Sequence, residues 1–263
     1  MTNREVATAM ELAKGIHHFE TGPFNWYVID ESSRLTLVDA GFPGHYQVFA
    51  DGLRSIGRGT KDVEAILITH AHADHTGFAE RVRREANVPV FIHRDDVAMA
   101  ARVLQLPWFG LLSNAWRPFT GLMLERAIFN GVFAMSSITK AQPFKDGDIL
   151  DVPGRPHVLH VPGHTPGQSA LYMPDRKVLI TGDALLTLDL FSGNAVAPQV
   201  PHRPLNSDDK LARRSLDRMR ELGEVTMLPG HGRPWAGKMA DAIRIARAGG
   251  SWNSAMVDVE SAT

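Results

Sequence analysis

The sequence predicts an α/β protein, and three observations carry the prediction. Short apolar runs rich in β-branched residues, such as VEAILITH (63–70) and KVLITGD (177–183), have the length of buried strands rather than helices. Segments with helically spaced apolar residues follow several of them. The strand-then-helix rhythm recurs in both halves of the chain, the order expected when helices cover a sheet.

In the first half, FNWYVID and RLTLVDAG read as strands joined by the turn-like ESS, and HYQVFADGLRSIG as a helix. VEAILITH is the next strand and TGFAERVRREA a helix. VPVFIH is another strand, and RDDVAMAARVL is expected to be helical with Asp95 near its start. In the second half, HVLHVPG, QSALYMP and KVLITGD read as strands. SDDKLARRSLDRMREL is a helix with Ser207 as its expected cap and Leu211, Leu216 and Met219 on one face. EVTMLPGHG is a strand ending in a turn, KMADAIRIARA is a last helix, and the tail from Gly249 is expected to be poorly ordered. The middle differs: residues 99–140 are apolar and carry little charge, as expected of core helices, an interface or a lid over a site. We expect one domain over 1–263, with 99–140 as an apolar helical insertion.

Composition removes several function classes. A net charge of −1 gives no bulk field for nucleic acid or an anionic membrane. With no cysteine, disulfides, thiolate ligands and cysteine nucleophiles are excluded. The N-terminal MTNREVATAMELAKG lacks an apolar stretch of signal-peptide length, and no run of about 18 apolar residues suggests a span. The expectation is a cytoplasmic protein acting on a small molecule.

HAHADH (70–75) sets His70, His72, Asp74 and His75 at the end of a buried-type strand. Imidazole and carboxylate suit divalent metals such as zinc. Residues two apart on an extended segment point the same way, so His70 and His72 can share an ion, and the turn that follows can bring Asp74 and His75 to a second. Three later strand ends repeat the punctuation: His164 in HVPGHTPGQ, Asp183 in VLITGDALL and His231 in MLPGHGRP. Sheet proteins collect their sites at such places.

With these motifs in order, and with LVDAG around Asp39, the sequence resembles the metallo-β-lactamase superfamily over roughly residues 15–245. The resemblance implies an αββα sandwich with two divalent ions at one edge: zinc is expected, with iron or manganese as alternatives. His70, His72 and His164 would hold one ion, Asp74, His75 and His231 the other, and Asp183 would bridge both. Asp39 would orient the ligand block through hydrogen bonds. Gly163 and Gly167 would let the His164 loop turn tightly. Two such cations acidify a bridging water to hydroxide and stabilise the oxyanion formed when it attacks a carbonyl, with Asp74 orienting the nucleophile or taking its proton.

Departures from subfamilies narrow the choice. The commonest metallo-β-lactamases carry cysteine where Asp183 stands, and flavodiiron proteins carry glutamate where His72 stands. Glyoxalase II shares the ligands, but its glutathione-binding segment has no counterpart here. Quorum-quenching lactonases usually place a tyrosine shortly after the bridging aspartate, where this chain reads ALLTLDLF. The reading is a dinuclear hydrolase of a small ester, thioester or lactone, with a hydrophobic tail on the substrate if 99–140 is a lid, and a homodimer contact if it is an interface. The alternatives are a mononuclear-iron dioxygenase of a persulfide-type sulfur substrate and a non-catalytic binding protein. His17 and His18 lie by the first strand, at most one facing inward. His45, His93, His157 and His160 are expected to be structural. His202 is a candidate for the site mouth, and Arg203 is expected to be a solvated charge.

Overall fold

A computed structural model describes residues 9–249. The first half builds a seven-stranded sheet in sequential order. Strands β1 (Met10–Ala13), β2 (Ile16–Thr21), β3 (Phe24–Glu31) and β4 (Arg34–Val38) are antiparallel neighbours, and β5 (Val63–Ile68), β6 (Val90–His93) and β7 (Ala141–Phe144) extend the sheet in parallel. Parallel neighbours need crossovers. Helix α1 (Tyr46–Ser55) supplies one before β5, and α2 (Ala73–Thr76) with α3 (Ala79–Ala86) the next. The crossover from β6 to β7 holds α4 (Val97–Ala100), α5 (Trp108–Ser113) and α6 (Pro118–Phe129).

The second half contributes β8 (His157–His160), β9 (Ser169–Met173), β10 (Val178–Gly182), the separate hairpin β11 (Leu186–Leu188) and β12 (Ala195–Gln199), α7 (Asp209–Ser215), β13 (Glu224–Pro229), β14 (Trp235–Lys238) and α8 (Met239–Arg247). Its five-stranded sheet has the order β14-β13-β10-β9-β8.

The period of two along the strands builds the layers. Leu35 and Leu37 of β4, with Ile66 and Ile68 of β5, pack against Phe49 and Leu53 of α1 and Val82 of α3. Their alternates Val38, Ala65 and Leu67 face the other way and meet Val158, Leu171, Val178 and Ile180 of the second sheet. On that sheet's far side, Leu179 and Met227 pack against Ala212, Leu216, Met239 and Ile243. The result is the expected αββα sandwich. Apolar residues on both faces of β5 and β10 explain why these strands read as continuous apolar runs.

Several elements differ from expectation. TGFAERVRREA is two helices with a break at Gly77, whose N–H bonds the Gly41 carbonyl. RDDVAMAARVL is helical only to Ala100, because the Ala100 carbonyl is taken by the N–H of Ile138. The helix from 207 becomes a 3-10 helix over Leu216–Leu222. Its cap is Asp208, which accepts the Leu211 N–H at 2.9 Å, whereas Ser207 donates to the His164 carbonyl at 3.0 Å. Strands β1, β2, β7, β11, β12 and β14 had no clear signal. In β2, both His17 and His18 are buried, not one, because β2 is an inner strand covered on both faces. The tail beyond Gly249 lies outside the described residues. Among those described, no helix is long and apolar enough to cross a membrane.

The 99–140 segment splits its apolar surface. Leu111, Met123, Ala127 and Val132 pack with Phe24, Phe42, Leu190, Phe191 and Leu205 in a fourth cluster. Phe109, Trp116 and Phe129 point outward, 83%, 75% and 82% exposed. One face of the segment is therefore packed on the domain, and the other is exposed in the single chain.

Candidate metal centre

Strand direction assembles the site. β8 and β10 each run antiparallel to β9, and β13 runs parallel to β10, so β8, β10 and β13 point the same way. The segments that follow them carry His164, Asp183 and His231. From the other sheet, β5 leads through Thr69 into His70 and His72, and the single turn of α2 brings Asp74 and His75 back toward them. The seven residues meet at one edge of the sandwich, all buried.

Their ring nitrogens and carboxylate oxygens converge. His72 Nδ1 lies 3.1 Å from His70 Nε2 and 2.9 Å from His164 Nε2. His231 Nε2 lies 3.3 Å from Asp74 Oδ2 and 3.3 Å from Asp183 Oδ2. Asp183 Oδ2 is 3.4 Å from His164 Nε2, while its Oδ1 is 3.5 Å from His75 Nε2. Asp183 thus stands between the His70/His72/His164 group and the Asp74/His75/His231 group, each compact enough to hold one ion.

The outward nitrogens set the tautomers. His75 Nδ1 donates to Asp39 Oδ2 at 2.9 Å, His231 Nδ1 to the Pro23 carbonyl at 2.6 Å and His164 Nδ1 to Asn206 Oδ1 at 3.1 Å. The Asn206 amide is oriented because its Nδ2 donates to the Pro201 carbonyl and to Asp209. His70 Nδ1 donates to Thr69 Oγ1 at 3.1 Å, whose own proton goes to Asp39 Oδ2 at 2.9 Å. In the neutral ring, a proton on Nδ1 leaves a bare lone pair on Nε2. Four imidazoles therefore aim Nε2 inward, and each would offer a lone pair there once neutral, the arrangement a metal requires of its histidines.

The electrostatics divide the site. Burial, with the neighbouring His75, drives His70 well below the usual imidazole range, and burial beside His164 takes His72 to about 3. Burial also lowers His164. At His75 burial opposes the charge but is outweighed by Asp39, Asp183 and Asp74, which raise it to about 9. The same contest, won by Asp183 and Asp74, raises His231 well above its usual value. Burial opposes ionisation of Asp74, yet His75 and His231 hold it at about 2, and Asp183 is lowered for the same reasons.

A divalent cation fits this donor set. His75 Nε2 and Asp183 Oδ1 are buried atoms with no hydrogen-bond partner. Such groups cost stability unless something satisfies them, and here the two face each other. A Cβ at Gly230 would fall 2.2 Å from Asp183 Oδ1, so the His231 turn can pass this close only as glycine.

Residues 21–231 match the family described as the metallo-beta-lactamase superfamily. The chain belongs to that superfamily. Among relatives, it is 28% identical over 253 residues to the probable metallo-hydrolase YflN of Bacillus subtilis (strain 168), covering 90% of this chain and 91% of that one. Against the hydroxyacylglutathione hydrolase GloC of Haemophilus influenzae, identity is 28% over 127 residues, 47% of this chain and 50% of that one. Among solved structures, a metallo-beta-lactamase family protein of Thermus thermophilus superposes with a TM-score of 0.60 at 26% identity, covering 89% and 78% of the two chains.

Within this superfamily member, Asp39 accepts the Thr69 N–H at 2.8 Å besides the His75 Nδ1–H. Gly163 has φ +132°, and a Cβ there would strike Ala212 N at 2.1 Å. The other histidines stay apart from the site. His45 stacks on Trp26 and its Nδ1 accepts the Phe42 N–H. His157 sits on the edge strand β8. His202 does not line the site: it stacks on Phe191 and pairs with Asp189 at 3.1 Å. Arg203 is exposed. His93 and His160 lie near Asp95, but their rings stack 13° from parallel with centroids 3.9 Å apart. In-plane lone pairs of stacked rings do not converge on one ion.

Motif reasoning missed the supporting residues. Asn25 donates to the Pro229 and Gly232 carbonyls at 2.9 and 2.7 Å, clamping the His231 turn, and the Tyr27 hydroxyl also donates to Pro229. Asn206 and Thr69 orient ligands from positions with no periodic or motif signal. Polar residues inside an apolar strand, as in FNWYVID, were the one available hint at Asn25.

Proposed function

We propose that this protein is a dinuclear-metal hydrolase acting on a small, uncharged carbonyl ester, thioester or lactone. The observation that carries the reading is the inward convergence of five imidazole rings and two carboxylates, with His75 Nε2 and Asp183 Oδ1 otherwise unsatisfied. His70, His72 and His164 would hold one ion and Asp74, His75 and His231 the other, with Asp183 shared. Nitrogen and oxygen donors without sulfur suit zinc first, and also iron or manganese. When bound, such ions supply Lewis acidity and acidify water at neutral pH.

The chain's own groups do the rest. Asp74 lines the cavity, and its carboxylate, held ionised beside His231, is placed to orient water and accept its proton. Asp39 and Asn206 keep His75 and His164 in one orientation through the reaction. The cavity of about 40 Å³ beside these residues is walled by Phe24, Phe42, Leu106, Leu111, Met123 and Leu190. Among the described residues, no lysine or arginine lines it. The remote, charged part of an anionic glutathione thioester would find no lysine or arginine in this wall, which favours a neutral apolar substrate whose scissile carbonyl is its main polar contact. Such a wall keeps bulk solvent from the site, leaving only a positioned water at the reacting carbonyl.

The test combines elemental analysis with a panel of neutral and anionic esters, thioesters and lactones. We expect close to two zinc-like ions per chain and turnover of neutral apolar substrates. One iron per chain with oxygen-dependent turnover of a persulfide would replace this reading with a dioxygenase. Metal uptake without any turnover would leave a binding protein.

A further inference from the structure

Asp96 belongs to none of the ligand motifs, yet it is a fully buried carboxylate at the edge of the site. It is the last residue of the 3-10 turn Arg94–Asp96 that follows β6, immediately before α4. Its Oδ2 accepts the backbone N–H of Ala71 at 3.0 Å and the hydroxyl of Thr165 at 2.7 Å, and its Oδ1 accepts the N–H of Gly167 at 2.7 Å. Ala71 sits between His70 and His72. Thr165 follows His164, and Gly167 closes the same loop. One side chain therefore holds the two loops that supply the His70/His72/His164 group, which arrive from different sheets.

We infer that Asp96 is a positioning residue: it locks the His70–His72 loop to the His164 loop so that three imidazoles reach one ion as a prepared set. The inference rests on the metal-binding reading above. All three partners are donors, so the position calls for a group that only accepts, an ionised carboxylate. An amide of the same shape would turn an NH₂ toward either the Gly167 N–H or the Ala71 N–H. The approach is close: a Cβ at Gly167 would lie 2.6 Å from Asp96 Cγ. Glycine is therefore required there by contact with Asp96. The 2.9 Å approach of His164 Nε2 to His72 Nδ1 spans the two loops, and it is the distance this clamp would govern. Residues that orient metal ligands from behind typically alter metal affinity by about 10–100-fold when removed.

The test uses the full chain and reads metal binding, not turnover alone. Asp96→Asn, Thr165→Val and Thr165→Ser are titrated with zinc against a chromophoric chelator, and with cobalt(II) followed by its visible d–d spectrum. Asp96→Asn should weaken one of the two ions about tenfold or more and change the cobalt spectrum, with the other ion less affected. Thr165→Val should move the same way by less, and Thr165→Ser, which keeps the hydroxyl, should recover most of that loss. A lowered Tm with parental affinity, spectrum and kcat would overturn the inference and leave Asp96 a structural buried carboxylate. If Asp96→Asn does not fold, the Thr165 pair decides: equal affinities for Val and Ser overturn it. A parent chain that takes up no metal would overturn instead the reading on which it rests.

Discussion

Asp183→Asn is the most direct perturbation of the centre. The substitution keeps the shape of a side chain whose oxygens face His75, His164 and His231 at 3.3–3.5 Å, and removes its charge. At an effective dielectric of about 20, two opposite unit charges about 4 Å apart attract by roughly 4 kcal/mol, and a divalent ion doubles that before solvation offsets it. The amide oxygen remains a neutral donor and recovers part of this. We therefore expect total metal affinity to fall by about 10–100-fold, or roughly 1.4–2.8 kcal/mol. The metal-free fold should survive, because His75 and His231 owe their raised proton affinity partly to Asp183 and can release a proton when it is gone. Metal content is measured by elemental analysis after dialysis against a weak chelator, alongside turnover of the ester panel and thermal melting without metal. Occupancy and rate should fall together. A variant with full metal content and unchanged turnover would show that Asp183 merely terminates β10, and the bridging assignment would be wrong.

His231→Ala should leave about one ion per chain after dialysis, because only one ligand group loses a member; retention of two would remove His231 from the site. Met123 lines both the cavity beside the ligands and a second cavity of about 150 Å³ walled by Phe119, Leu122 and Leu188. Met123→Ala should join them and raise kcat/KM for longer acyl chains relative to short ones by severalfold, whereas Trp116→Ser, on the exposed face, should leave the chain-length profile alone. An unchanged profile in Met123→Ala would mean the substrate does not extend past this wall. Burial lowers His45 to about 4 from an ordinary value of 6.5. The unfolded chain therefore takes up this proton first as pH falls: the penalty is absent above pH 6.5 and grows to roughly 3 kcal/mol by about pH 4. In urea titrations of metal-free protein, His45→Asn should flatten the loss of stability across that window, and parallel pH curves for parent and variant would refute the contribution.

Local chemistry made the central strands and the ligand block readable. β5 and β10 are short β-branched runs, and HAHADH follows β5 directly, so strand, turn and candidate ligands lie within one window of sequence. The ends of β8, β10 and β13 were visible for the same reason, as glycine-rich turns carrying His164, Asp183 and His231. β2 was not visible: IHHFET places two histidines on an inner strand, and their burial depends on what covers each face. The breaks at Gly77 and Ala100 also depended on distant partners, the Gly41 carbonyl and the Ile138 N–H.

Local order along the chain specifies the chemistry on offer: five imidazoles and two carboxylates at strand ends, no thiol, and an apolar segment between the two ligand-bearing halves. How those groups are oriented depends on contacts made in the folded chain. Asn25, Asn206, Thr69 and Asp96 reach partners 25 to 207 residues away in the chain, and no local pattern records a hydrogen bond of that separation. The split of 99–140 into a wall facing the cavity and an exposed aromatic face was decided the same way. Hydrophobicity says that a side chain favours burial, and the packing of α5 and α6 against Phe24, Phe42 and Leu205 decides which ones are buried.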